Sequence, residues 1–290
     1  MNHIAKLGVG FAEPSGVNST VPRLSLLRGY AAIAPALLRS LGSDTIAVDR
    51  TTLRIPGTRR IRASVLAGNV RMRTLLDRLV RPGDTIVDVG ANIGAIAVHA
   101  SRIVGARGRV VALEPAGDNL AVLRDNLARN ACDNVTVLAA AAGRRREIRE
   151  FFLRGDVSAV NSLFAESCYA EVTGVTRVDV VPLDDVVDGD VRLVKIDVEG
   201  AELEVIGGMS RILAQQAVTV IAEWHPELQR AAGFEIDELP RRLLELGFAV
   251  EALGHVSAHP LTRHDIEPLA ARLLAARRPV ELVARRPDRS

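Results

Sequence analysis

Thr85-Ile86-Val87-Asp88-Val89-Gly90-Ala91-Asn92-Ile93-Gly94 is the stretch that decides how this chain is read. Five residues rich in β-branched side chains run into a glycine-containing turn. The next ten then place Ile96, Ala100 and Ile103 on one helical face. A strand, a tight turn and a helix make the opening unit of an open α/β sheet, where ligands lie beyond the carboxyl ends of the strands. Gly90 lets the backbone turn sharply and approach a ligand, and Gly94 lets the helix pack close to the strand.

Working outward, apolar strands alternate with amphipathic helices, the pattern of a parallel sheet covered on both faces. Strands are predicted over residues 85–89, 109–113, 135–139, 193–197, 218–223 and 248–252, and helices over 95–104, 118–130, 202–214 and 237–246. Residues 148–181 interrupt the rhythm. Two β-like runs, 148–153 and 175–181, flank an irregular polar segment, which reads as an inserted hairpin whose long loop could cover a site. Residues 1–80 form an N-terminal extension: a loose leader over 1–20, a helix over 24–41, a hairpin of 45–48 and 52–55 turning at Asp49-Arg50, and a helix over 70–80. Arg81-Pro82-Gly83 closes it, and residues 81–290 make the main domain.

Composition narrows the function. The 290 residues are 48% hydrophobic and 25% charged, as in globular proteins. No apolar run approaches the ~18 residues of a membrane span, and residues 1–16 lack the apolar core of a secretion signal. Cys132 and Cys168 form no metal or disulfide pattern and fit a reducing, cytoplasmic setting. A net charge of +2, from 37 basic and 35 acidic residues, gives no electrostatic case for nucleic acid or an anionic membrane. Aromatics at 3% are too few for a base-stacking platform. The expected partner is a small molecule.

The turn reads Gly-x-Asn-x-Gly instead of the dinucleotide pattern, and Asp88 precedes it. An acid beside the turn suits an ammonium group better than a pyrophosphate. Glu114 ends the second strand 20 residues after Gly94, where an acceptor-only carboxylate can grip two ribose hydroxyls. A nucleoside with an amino-acid tail and no pyrophosphate describes S-adenosylmethionine. The expected cofactor-binding residues are Asp88, Gly90, Asn92, Gly94, Glu114 and Asp197.

Together with Leu183-Asp184-Asp185 and Lys195-Ile196-Asp197-Val198-Glu199-Gly200-Ala201-Glu202, these residues resemble the FkbM-type S-adenosylmethionine-dependent methyltransferases over roughly residues 84–250. The 195–202 block is the most specific element, whereas the glycine turn is shared with many methyltransferases. The resemblance implies a class I methyltransferase fold: a Rossmann-like, mostly parallel seven-stranded sheet with helices on both faces. It also implies O-methylation, mostly of sugars or secondary metabolites, with the insert around Asn161 and Ser162 supplying substrate contacts.

Only two of the 37 basic residues are lysines, Lys6 and Lys195. Lys195 falls in a predicted central strand that should be apolar on both faces, so it needs a partner, and Asp197 and Glu199 are the nearest candidates. Glu202 is read as a cap or first-turn residue of the helix that follows. Glu223-Trp224-His225-Pro226 ends the next strand, which places His225 above the same sheet edge as Asp197. An alcohol acceptor must lose a proton, so a base near neutrality helps. His225 is the first candidate and Asp197 the second, with Lys195 in the catalytic cluster and Glu199 and Glu223 facing the substrate. His3, His99, His255, His259 and His264 lack such a context, and His99 reads as structural. No metal is assigned. The alternative is a divalent cation such as Mg²⁺ on Asp197 and Glu199, which requires a turn there. N-methylation of a small amine stays open. An RNA or DNA methyltransferase is disfavoured by the absence of an Asn-Pro-Pro-aromatic or Pro-Cys segment, and an oxidoreductase by the asparagine in the turn.

Overall fold

Two short strands, β1 (Thr45–Val48) and β2 (Thr51–Arg54), pair as an antiparallel hairpin at the start of the region that the computed structural model describes. The described residues are 43–48, 50–154, 160–166, 171–253 and 258–287. The expected leader and the helix over 24–41 lie outside them, as do Asp49, Cys168, His3, Lys6 and His255.

Helix α1 (Arg59–Leu79) follows, capped by the Thr58 side chain, which accepts from the Ile61 N–H. It begins eleven residues before the expected start at Val70. The sequence hides that start because arginines crowd the first turn and Gly68 interrupts the helical pattern. Strand β3 (Thr85–Val89), helix α2 (Ala95–Val104), strand β4 (Arg109–Leu113), helix α3 (Gly117–Arg129) and strand β5 (Val135–Leu138) then alternate as expected.

The insert is a small sheet of its own. Strands β6 (Ala141–Ala142), β7 (Glu147–Arg154) and β8 (Val172–Val181) stand in the order β6-β8-β7. After helix α4 (Leu183–Val186) come strand β9 (Leu193–Ile196) and helices α5 (Glu202–Gly207) and α6 (Ser210–Leu213), where one helix was expected. Between them a Cβ on Gly208 would stand 1.9 Å from the Gly143 carbonyl oxygen, so two backbones meet there and only glycine fits. Strand β10 (Thr219–Trp224), helix α7 (Pro226–Ala231), helix α8 (Glu238–Glu245) and strands β11 (Ala249–Leu253) and β12 (Ala258–Pro260) follow. Helix α9 (Arg263–Ala276) and strand β13 (Val280–Arg285) complete the described chain.

The main sheet runs β12-β11-β13-β10-β9-β3-β4-β5. Strands β5, β4, β3, β9 and β10 are parallel neighbours. Antiparallel β13 slots between β10 and β11. This is the class I methyltransferase fold, with β12 added at one edge as an eighth strand. One face packs on α1, α2, α3 and the hairpin, where Leu75 and Leu76 share a core with Ile86 and Ala97. The hairpin is tied to α3 by side chains: Asn126 exchanges bonds with the Arg54 backbone, and Asn130 does the same with Thr52. The other face packs on the remaining helices around Trp224, Leu243 and Ile212.

The chain moves outward from β3 to β4 and β5, then returns to lay β9 on the other side of β3. The strand order therefore reverses between β3 and β9, and a crevice opens at their carboxyl ends. The Gly90 turn and Asp197 both sit at that point.

Candidate active site

Gly90, Asn92 and Gly94 have φ of 74°, 51° and 81°. Three left-handed positions in five residues account for Gly-x-Asn-x-Gly, since glycine and asparagine adopt that region most readily. Gly90 has a second constraint: a Cβ there would lie 2.0 Å from the Asp197 carbonyl oxygen. Gly94 makes its close approach to Leu123 of α3, 3.1 Å from a notional Cβ, and not to the strand as expected. The turn is braced from the next strand. One oxygen of the buried Glu114 accepts from the Asn92 N–H at 2.8 Å, and the other accepts from the Ala116 N–H at 2.9 Å and Asn119 Nδ2 at 3.1 Å. Burial raises the Glu114 pKa against these three donors.

Beneath the turn lies a buried ion pair. Parallel register sets Asp88 of β3 beside Lys195 of β9. Lys195 Nζ stands 3.3 Å from Asp88 and 3.5 Å from Asp197, and donates to the Gly90 carbonyl at 2.9 Å. Burial works against the ammonium, but the two carboxylates outweigh it and hold its pKa above the usual value. Asp88 is raised by its burial, and Lys195 opposes that shift. The expected partner Glu199 is not in this pair. The strand ends at Ile196, before Glu199, whereas register supplies Asp88.

Strand β9 ends at Ile196, and the chain turns through Glu199 at φ 53° and Gly200 at φ 102°. This is the turn a shared carboxylate site requires. Asp197, Glu199 and Glu223 bring one carboxylate oxygen each within 4.8 Å of one another, the hard-oxygen donors that Mg²⁺ takes. Burial first, and then the charges of Asp197 and Glu202, push Glu199 well above the usual carboxylate range. Burial, Asp197 and Glu199 do the same to Glu223. Glu281 of β13 stands in register with Glu223 and is raised by burial, with Arg71 at 3.6 Å opposing. Glu202 is a first-turn residue, one of the two roles expected: Oε1 accepts from the Val198 and Gly200 N–H groups ahead of the helix, and burial pushes its pKa up to about 7.

A cavity of about 650 Å³ unites these parts. Gly90, Asn92 and Glu114 line it together with Lys195, Asp197, Glu199 and Glu223. Asn161 joins them from the insert. Four expected residues stand elsewhere. Asp88 is wholly buried as the counter-ion of Lys195, and Gly94 faces α3. Ser162 is buried behind the wall, where its Oγ donates to the Glu199 carbonyl at 2.8 Å and holds that left-handed residue. His225 does not line the cavity. The strand ends at Trp224 and Pro226 opens α7, so His225 becomes the N-cap of a helix and leaves the strand's alternation. Burial lowers its pKa, opposed by Glu227. His99 is structural as expected, with Nε2 2.8 Å from Asp77 on α1.

The sequence reading missed three contributors. Ile61, Val65, Gly68 and Met72 of α1 line the cavity, as does Glu281, which only the antiparallel return of β13 brings there. Arg154, fully buried, donates to the Phe164 and Ala165 carbonyls at 2.7 and 2.9 Å and so shapes the segment that carries Asn161 and Leu163. Arg154 directly follows the β-like run 148–153, but nothing in the sequence marks it as buried.

The methyltransferase FkbM domain profile matches residues 88–250. The chain belongs to the FkbM methyltransferase family. Within this FkbM domain lie the glycine turn, Glu114, the 195–202 block and Glu223, while α1 and Glu281 fall outside it. Among solved structures the chain is similar to an FkbM methyltransferase of Methylobacillus flagellatus, at 18% identity over 90% of this chain and 60% of that one, with a TM-score of 0.46. An O-methyltransferase of Thermotoga maritima shares 16% identity over 77% and 66% of the two chains, with a TM-score of 0.42. An rRNA methylase of Streptococcus thermophilus shares 11% over 75% and 95%, with a TM-score of 0.41. The chain thus spans 60% of the length of the Methylobacillus protein. No curated protein matches it. Among the described residues no helix is long and apolar enough to cross a membrane.

Proposed function

We propose that the chain transfers the methyl group of S-adenosylmethionine to a hydroxyl of a small molecule, a sugar or secondary metabolite, in the cytoplasm. The observation that carries this reading is one cavity, of a size usual for small-molecule sites, lined both by the glycine turn with Glu114 and by a group of ionisable acids. Gly90, Asn92 and Glu114 are the residues that would hold the cofactor. Glu114 spends three acceptor positions on the protein, and a carboxylate has about four, so one remains for a ribose hydroxyl. When bound, the cofactor supplies an activated methyl group.

The chain's own contribution is alignment and proton removal. Alignment in a closed site converts an encounter between two molecules into a nearly intramolecular step. The proton leaves the acceptor hydroxyl for a carboxylate, because His225 stands off the cavity. Asp197 is the candidate base: its side chain is 44% exposed, open to an acceptor, and Lys195 at 3.5 Å fixes its position. Glu199 and Glu223, which burial and neighbouring acids raise well above the usual carboxylate range, line the same cavity beside it.

The test is methyl transfer from isotopically labelled S-adenosylmethionine to hydroxylated and aminated acceptors, with the methylated atom located in the product. Asp197→Asn is expected to lower turnover ~10²–10⁴-fold with affinity for S-adenosylhomocysteine retained, and His225→Ala to leave turnover within a few-fold of wild type. Full turnover in Asp197→Asn, or methyl found only on nitrogen, overturns the reading.

A further inference from the structure

Gly68 is the tenth residue of the 21-residue helix α1. Glycine is among the least favourable residues in a helix interior, because it exposes and loosens the backbone. It persists where a positive φ or a close approach demands it. Gly68 has neither reason: it is not among the left-handed residues, and a Cβ built on it would meet no atom within 4 Å. Its flank lies open to the cavity.

Ile61, Val65, Gly68 and Met72 follow one another at intervals of four, three and four, which is a single helical face. All four line the cavity. Arg71, on the same turn as Met72, reaches Glu281 at 3.6 Å, and Glu281 is in register with Glu223. This face of α1 therefore lies toward the acids and not only toward the glycine turn. Phe151 and Leu163 from the insert add apolar surface to the lining. Along the α1 ridge the missing side chain at 68 leaves a gap between Val65 and Met72.

We propose that Gly68 determines which acceptors the site admits. The gap receives the flat apolar face of a ring, packed on Ile61, Val65 and Met72, while the hydroxyl of that ring compound reaches Asp197. The substrate class is a hydroxylated ring compound with an apolar face, and a straight-chain polar acceptor leaves the gap empty. This rests on the reading of the cavity as a methyl-transfer site.

The experiment uses two probes and calorimetry on the whole chain. S-Adenosylhomocysteine reports the cofactor half. Its 5′-aza analogue, bearing a benzyl group on nitrogen where the methyl would sit, extends a ring into the acceptor half. Wild type is expected to bind the benzyl analogue at least as tightly as S-adenosylhomocysteine. Gly68→Leu is expected to weaken the benzyl analogue tenfold or more while S-adenosylhomocysteine stays within twofold. Gly68→Ala is expected to melt about 2 °C higher than wild type, which shows that the glycine is kept at the expense of helix stability. The proposal is overturned if wild type excludes the benzyl analogue, if Gly68→Leu leaves it unchanged, or if Gly68→Leu weakens both probes alike. Failure of wild type to bind S-adenosylhomocysteine is a separate result that removes the methyl-transfer reading beneath it.

Discussion

Glu114 leaves little latitude for substitution, because both its oxygens accept. Asn92 N–H donates to one, and Ala116 N–H and Asn119 Nδ2 donate to the other. A glutamine keeps one acceptor and must aim its amide nitrogen at a backbone N–H, leaving two donors facing each other in a buried place. Glu114→Gln is therefore expected to destabilise the fold by about 1–3 kcal/mol, read by denaturant unfolding, and to weaken S-adenosylhomocysteine at least tenfold. Retained stability and affinity would show that Glu114 braces neither the turn nor the ligand. At this scale the sequence was informative where backbone conformation restricts residue type. Left-handed φ at positions 90, 92 and 94 admits few side chains, so Gly-x-Asn-x-Gly announced the turn. It was uninformative where register decides. Asp88 meets Lys195 across two strands separated by more than a hundred residues, and no spacing along the chain reveals that pair.

Elements carry the next level of control. Helix α5 begins over Glu202, buried and raised to about 7 from an ordinary 4.5. Between those values the folded chain holds a proton that the unfolded chain has released, so stability falls as pH rises from about 4.5 through 7 and levels off above. Glu199, Glu223 and Glu281 are raised too and steepen the same decline. Glu202→Gln keeps the Oε1 acceptor without the charge. It is expected to flatten the decline and gain up to about 3 kcal/mol at pH 8, at 1.36 kcal/mol per pKa unit, in urea unfolding compared at pH 5 and pH 8. An unchanged slope would place the coupled proton elsewhere. Periodicity located α2, β3, β4 and the insert hairpin, where apolar spacing is regular. It missed the first half of α1, whose arginines and glycine obscure the pattern. It also set His225 at the end of a strand, above the cavity edge, where Pro226 instead makes it the N-cap of α7.

For the molecule as a whole, the reversal of strand order between β3 and β9 positions everything else. It sets the glycine turn against Asp197, gives Lys195 a carboxylate from each side, and opens one cavity that α1, the insert and β13 close. The parallel half of this arrangement was legible, because buried strands and alternating helices leave a repeated pattern. The closing walls were not, since α1 and Glu281 reach the cavity through tertiary packing alone, and Arg154 only shapes the insert segment from behind. The central claim is that this cavity holds S-adenosylmethionine, and the direct measurement is calorimetric titration of the whole chain with S-adenosylmethionine and with S-adenosylhomocysteine. One site of micromolar affinity for both is predicted. Stability should then rise by about 2.7 kcal/mol at a hundred times the dissociation constant. Undetectable binding of both would contradict the account.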